Sequence, residues 1–229
     1  MSTWGVHLRI AEYFIDKIQG IDPWEFVAGS VAPDCGYGKK DSFGEFTPPP
    51  SVTHWTPTGL KIHCLYKDFY KKHLIECNDI KAYSFYLGYY IHLLTDVVWS
   101  SRIFLPTKEK YKKEYEKDPK FLLTIKKDWN DLDFKFLIEN PDFRTFRLLD
   151  EKNEVRHYLP YYEPDQLTIQ CRFIVNFYKE SIKTAKPYRE YKYFTAEEQN
   201  NFINSVTAVI ETDLMKKNII NEEGRLQAI

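Results

Sequence analysis

Apolar residues recur at three- and four-residue intervals along most of the chain, the spacing that gives an α-helix one buried face. Leu8, Ala11, Phe14, Ile15 and Ile18 place a first helix over residues 4–18, and Gly20 ends it. A short helix over residues 24–28 leads into residues 29–52, where Pro33, Pro48, Pro49, Pro50 and several glycines predict a long loop. A loop of that length inside a compact domain is more often functional than idle. Helix resumes at Pro57, a favourable first-turn residue, and runs to residue 74 with Leu60, Cys64, Leu65 and Phe69 on one side. Residues 80–102 are nearly apolar all round, which predicts a helix at the centre of a bundle.

Further helices are predicted over residues 108–116, 120–138 and 144–150, with Pro119 and Pro141 at the breaks. Two long helices follow. Leu167, Cys171, Ile174, Tyr178 and Ile182 line one; Phe202, Val206, Val209, Ile210 and Leu214 line the other, which Thr195 and Glu198 start as a capping box. Residues 222–229 are expected to fray. Alternating strands and a solenoid repeat are both missing from the pattern, so residues 1–229 read as one all-α domain, an antiparallel helical bundle.

Composition narrows the partners. Hydrophobic residues at 43% and aromatics at 17% suffice to bury a core and exclude wholesale disorder. Thirty-two basic against thirty-three acidic residues leave a formal net charge of −1, so no global field draws the protein to nucleic acid or anionic lipid. Cys35, Cys64, Cys77 and Cys171 form no CxxC pair and read as reduced core thiols. The first residues lack the features of a secretory signal, and the longest apolar stretch, residues 83–99, contains His92 and Asp96. That stretch reads as a core helix, and the expectation is a cytoplasmic protein without a transmembrane segment.

His92 and Asp96 stand four apart in that helix and therefore share a face one turn apart. Buried there, they need compensation, either a mutual hydrogen bond or a shared metal ion. His7, Asp34 and His54 each fall where loop meets helix, a natural place for metal ligands. His63, His73 and His157 have no acidic partner at helical spacing and take surface or satisfied polar roles. Core packing explains Tyr83, Tyr86, Tyr89 and Tyr90 better than a cage for a choline headgroup does.

Trp4-Gly5-Val6-His7, Gly29-Ser30-Val31-Ala32-Pro33-Asp34, His54-Trp55 and the run from Tyr86 to His92 and Asp96 occur in that order. The set resembles the zinc-dependent phospholipases C of bacteria, whose fold is shared with the zinc-dependent single-strand nucleases. The resemblance implies a tri-zinc cluster at the end of a helical bundle, with His54, His92, Asp96 and Asp34 around one ion and Asp96 bridging to a second. It also implies that the second ion is held by a histidine, here His7, and by the amine and carbonyl of an N-terminal tryptophan. Trp4 is preceded by Met1, Ser2 and Thr3, so unless the chain is cleaved before it its nitrogen is an amide and only its carbonyl remains as a ligand. The family's third zinc uses two histidines and a glutamate downstream; here only His157 follows His92, so one or two Zn2+ ions are expected.

Arg102 stands six residues after Asp96, where the first missing ligand belongs, and a guanidinium can hold a phosphate in place of that zinc; a surface arginine at the helix end is the alternative. Asp128, Asp131 and Asp133 are alternative oxygen donors, against the simpler reading of solvent-facing helix acids. The implied activity is phosphodiester hydrolysis of a small phosphate ester or phospholipid headgroup. Zinc would activate water to hydroxide and Asp34 would orient or deprotonate it. A non-catalytic metal-binding protein and a nuclease of the same fold are the alternatives, and the neutral charge balance disfavours the nuclease.

Overall fold

Thr3 caps the first helix, α1 (Trp4–Lys17), by accepting the Val6 N–H through its hydroxyl. Asp22 caps α2 (Pro23–Val31) in the same way through the Glu25 N–H, with Pro23 in the first turn. These are features of a computed structural model that describes residues 2–38, 45–151 and 154–227. The loop expected over residues 29–52 is more ordered than its prolines suggest. It holds the end of α2, a 3-10 turn at Ala32–Asp34, and an antiparallel pair of two-residue strands, β1 (Tyr37–Gly38) and β2 (Phe46–Thr47). The short α3 (Pro50–Thr53) completes it, and residues 39–44 lie outside the described residues.

The helix expected from residue 57 begins only at α4 (Tyr66–His73), since Gly59 takes a left-handed backbone, φ 73°, and Leu60 and Cys64 are extended around a 3-10 turn at Lys61–His63. The break matters, because it turns Lys61 inward. Asp79 caps α5 (Ile80–Trp99) through the Lys81 and Ala82 N–H groups, and a π-helical turn at Ser100–Phe104 follows. Beyond lie α6 (Leu105–Lys110), α7 (Lys112–Lys117), α8 (Phe121–Glu139) and α9 (Arg144–Glu151). The chain then forms α10 (Gln166–Thr184) and α11 (Ala196–Lys216), the last opened by the Thr195–Glu198 capping box.

α5 is the central helix, buried almost throughout from Tyr83 to Trp99. α2 approaches it to backbone contact at two glycines. A Cβ on Gly29 would lie 2.0 Å from the Phe85 carbonyl oxygen, and one on Gly88 would lie 2.1 Å from that of Phe26. Tyr83, Tyr89 and Tyr90 pack in the core, where Tyr89 donates to the Thr53 carbonyl and Tyr90 to Asp213. Cys35, Cys64 and Cys171 are buried free thiols, and Cys77 is half-buried.

Residues 222–227 do not fray. Gln19 donates its N–H to the Gly224 carbonyl at 3.0 Å, and Gln19 and Arg225 form a parallel bridge, so this segment docks at the end of α1. Among the described residues, no helix is long and apolar enough to cross a membrane.

Candidate metal centre

His92 lies mid-α5 and is fully buried. Its Nδ1 stands 2.8 Å from the carbonyl of Ser30, in the last turn of α2, where helix carbonyls lack intrahelical donors. A carbonyl only accepts, so Nδ1 carries the proton and Nε2 directs its lone pair into the centre. His54 is the first residue after α3, and its Nδ1 lies 2.9 Å from the Thr53 hydroxyl. Its Nε2 is 3.0 Å from Oδ1 of Asp34, which closes the 3-10 turn after α2, and 3.3 Å from Nε2 of His92. Asp96, one turn beyond His92, brings Oδ2 to 3.6 Å from both imidazole nitrogens.

Ligand atoms around a tetrahedral zinc with bonds of ~2.0 Å stand about 3.3 Å apart. Four of the separations among Asp34, His54, His92 and Asp96, those that involve His54 or join His92 to Asp96, run from 3.0 to 3.6 Å and straddle that edge length. The residues therefore fit the ion in donor type and in these spacings.

Oδ1 of Asp96 faces the other way. It is 3.7 Å from Nε2 of His7, whose ring stacks on His92 with centroids 3.6 Å apart. Ser2 fills the space between them: its hydroxyl is 2.7 Å from His7 Nε2 and 3.0 Å from Asp96 Oδ1, and its N–H also points at Asp96 Oδ1. Among the described residues, His7 with His92 and Asp96, and Asp34 with His54 and His92, are two groups whose donor atoms lie within 4.8 Å of one another. His92 is common to both.

Burial lowers the pKa of both His7 and His54 to about 4, with His92 and Lys61 adding to the respective shifts. Both imidazoles are thus neutral near pH 7, as metal ligation requires. Burial alone would raise the carboxyls. For Asp34 the hydrogen bond to His54, the electrostatic influence of the neighbouring His92 and His54 rings and the Lys61 ammonium overcome it. For Asp96 the overriding influences are Lys61, His7 and His92, and both carboxyls end well below the usual range.

Lys61 is the residue the sequence pattern missed. Its Nζ lies 2.7 Å from Asp96 Oδ2, with the side chain only 9% exposed. A lysine in a stretch that reads as a helix face carries no mark of this role, which depends on the backbone break at Gly59.

A cavity of about 610 Å³ opens beside Asp34 and His54. Trp4, Phe46, Phe173 and Phe177 form much of its wall, and Trp4 meets the two α10 phenylalanines edge-on. Trp4 thus sits at the site through its indole, while its backbone belongs to the first turn of α1.

Arg102 is exposed on the π-helical turn, donates to the Ser205 hydroxyl at 3.2 Å, and lines a separate groove with Tyr111 and Glu198. Asp128 and Asp131 pair with Arg189 at 2.8 and 2.6 Å. Asp133 accepts the Tyr178 hydroxyl at 2.8 Å beneath Gly5, and burial raises its pKa to about 6. None of these four residues joins the cluster. His63 is exposed against Thr58, His73 packs on Phe69, and His157 lies 2.9 Å from the Tyr162 carbonyl.

No curated protein and no solved structure matches the chain. The stretch that supplies His7, Asp34, His54, His92 and Asp96 is different: residues 6–100 match the family model described as zinc dependent phospholipase C.

Proposed function

We propose that this protein is a zinc-dependent phosphodiester hydrolase of the phospholipase C type. Asp34, His54, His92 and Asp96 would hold one ion, and His7 with Asp96 would hold a second. When bound, zinc supplies a Lewis acid that polarises a phosphoryl oxygen and makes a bound water acidic near neutral pH. The observation that carries the reading is the gathering of four donor residues, from the turns that follow α2 and α3 and from α5, with His54 and Asp96 3.0–3.6 Å from their neighbours in the cluster.

The remaining work falls to the chain. His92 is locked in its ligating tautomer by Ser30. Asp34 is the ligand open to the cavity, with its side chain 12% exposed. Its Oδ1 stands beside His54 Nε2 as the second donor to the ion, which leaves Oδ2 to orient a water and accept its proton. The aromatic wall formed by Trp4, Phe46, Phe173 and Phe177 excludes bulk water and suits an apolar substituent on the ester.

A second reading is favoured by one observation. The Ser2 hydroxyl already satisfies Asp96 Oδ1 where a second ion would bind, and the Lys61 ammonium satisfies Oδ2 on the side of the first, as expected of a non-catalytic metal-binding protein. Zinc content by plasma mass spectrometry, with hydrolysis of nitrophenyl-phosphorylcholine and single-stranded DNA, separates the possibilities. The proposal expects bound zinc and ester hydrolysis, both abolished in His92→Ala. Zinc without either activity would establish the binding protein, and cleavage of DNA alone would establish a nuclease.

A further inference from the structure

The cavity wall away from the zinc ligands carries Lys126 and Asn130, one turn apart on α8, and Gln170 on α10. Among the described residues none of the three side chains has a hydrogen-bond or ion-pair partner. Lys126 is half-buried, and a partly desolvated ammonium without a bonded acceptor is costly to keep. Burial draws its pKa down, and the charges of Asp34 and Asp96 hold it up. It lines the same cavity as Asp34 and His54. Lys61, by contrast, is already committed to Asp96.

We propose that Lys126, with the side-chain amides of Asn130 and Gln170, forms a subsite for the phosphoryl oxyanion, the group that a phosphodiester substrate and its phosphomonoester product share. The proposal rests on the hydrolase reading and assigns the far side of its substrate. An ammonium offers three donors and each amide two, enough to bond the non-bridging oxygens turned away from the metal. The wall thus supplies the positive charge that the sequence pattern sought at Arg102, which lines another groove. The aromatic remainder of the cavity accepts the ester's apolar substituent.

Calorimetric titration of inorganic phosphate and of dimethyl phosphate, into zinc-loaded and chelator-stripped protein, tests the subsite. Lys126→Met should weaken binding by about tenfold or more, the loss expected for one charge-assisted hydrogen bond, with zinc content unchanged. Lys126→Arg should restore most of it. A loss confined to phosphate assigns the wall to the product, and one confined to dimethyl phosphate assigns it to the intact diester. If neither affinity changes in Lys126→Met, or neither anion binds the unsubstituted protein, the proposal is overturned. Anion binding through Lys126 in a protein that takes up no zinc would keep the subsite and end the zinc reading. Thermal melts of both variants confirm that the fold is retained.

Discussion

Asp96 faces two environments with a single carboxylate. Oδ1 meets Ser2 and His7; Oδ2 meets Lys61, His54 and His92. An ammonium and a metal ion compete for Oδ2, because both need the same negative charge. Lys61→Met should therefore tighten zinc binding by roughly tenfold, a modest share of the Coulomb energy of adjacent unit charges at a partly buried site. Competition against a chromophoric chelator measures it, and weaker zinc binding in the variant would show that Lys61 supports the ion. Most of this centre was legible in the sequence, since an imidazole and a carboxylate four residues apart in an apolar helix require a partner. Lys61 and Lys126 were not legible, because a lysine on a predicted helix usually faces water, and only tertiary packing turns these two inward.

At the scale of elements, the centre depends on how closely α2 and α5 approach. Ser30 can reach His92, and Asp34 can reach His54, because Gly29 and Gly88 let the two backbones touch. Gly88→Ala would force its Cβ into the Phe26 carbonyl and should cost about 1–3 kcal/mol, as overpacking does. The separation of the helices should also lower zinc affinity, which distinguishes this change from a simple loss of stability; chemical denaturation and zinc titration read the two effects. Helix periodicity placed α1, α5 and α8 close to their observed ends and identified α10 and α11 by their apolar faces. It failed over residues 57–65, where Leu60 and Cys64 keep apolar spacing but Gly59 turns left-handed. Spacing reports burial, and burial alone does not fix backbone geometry.

Across the whole molecule, buried ionisable groups give the metal-free protein opposing responses to pH. His7 and His54 sit near 4, below the unfolded value of 6.5, so the unfolded chain binds more protons between those limits. Their contribution, roughly 3 kcal/mol each, is present above pH 6.5 and is lost as pH falls through 4. Asp133 acts the other way. Its pKa is raised from 3.8 to about 6, so the folded state holds the extra proton, and stability falls by roughly 3 kcal/mol as pH rises through that window. Asp133→Asn should remove this offset and steepen the acid-side loss of stability; parallel urea midpoints from pH 4 to 7 in variant and parent would refute it.

The two ends of the described chain differ in what they touch. Ser2 is wedged against Asp96 and His7, whereas residues 224–226 dock at the far end of α1. Any affinity tag or reporter fused ahead of Ser2 has to emerge beside the candidate metal ligands, where it would crowd the cluster or supply stray donors of its own. Fused behind residue 227, the same label leaves from the opposite pole, which makes that terminus the one to use for immobilisation.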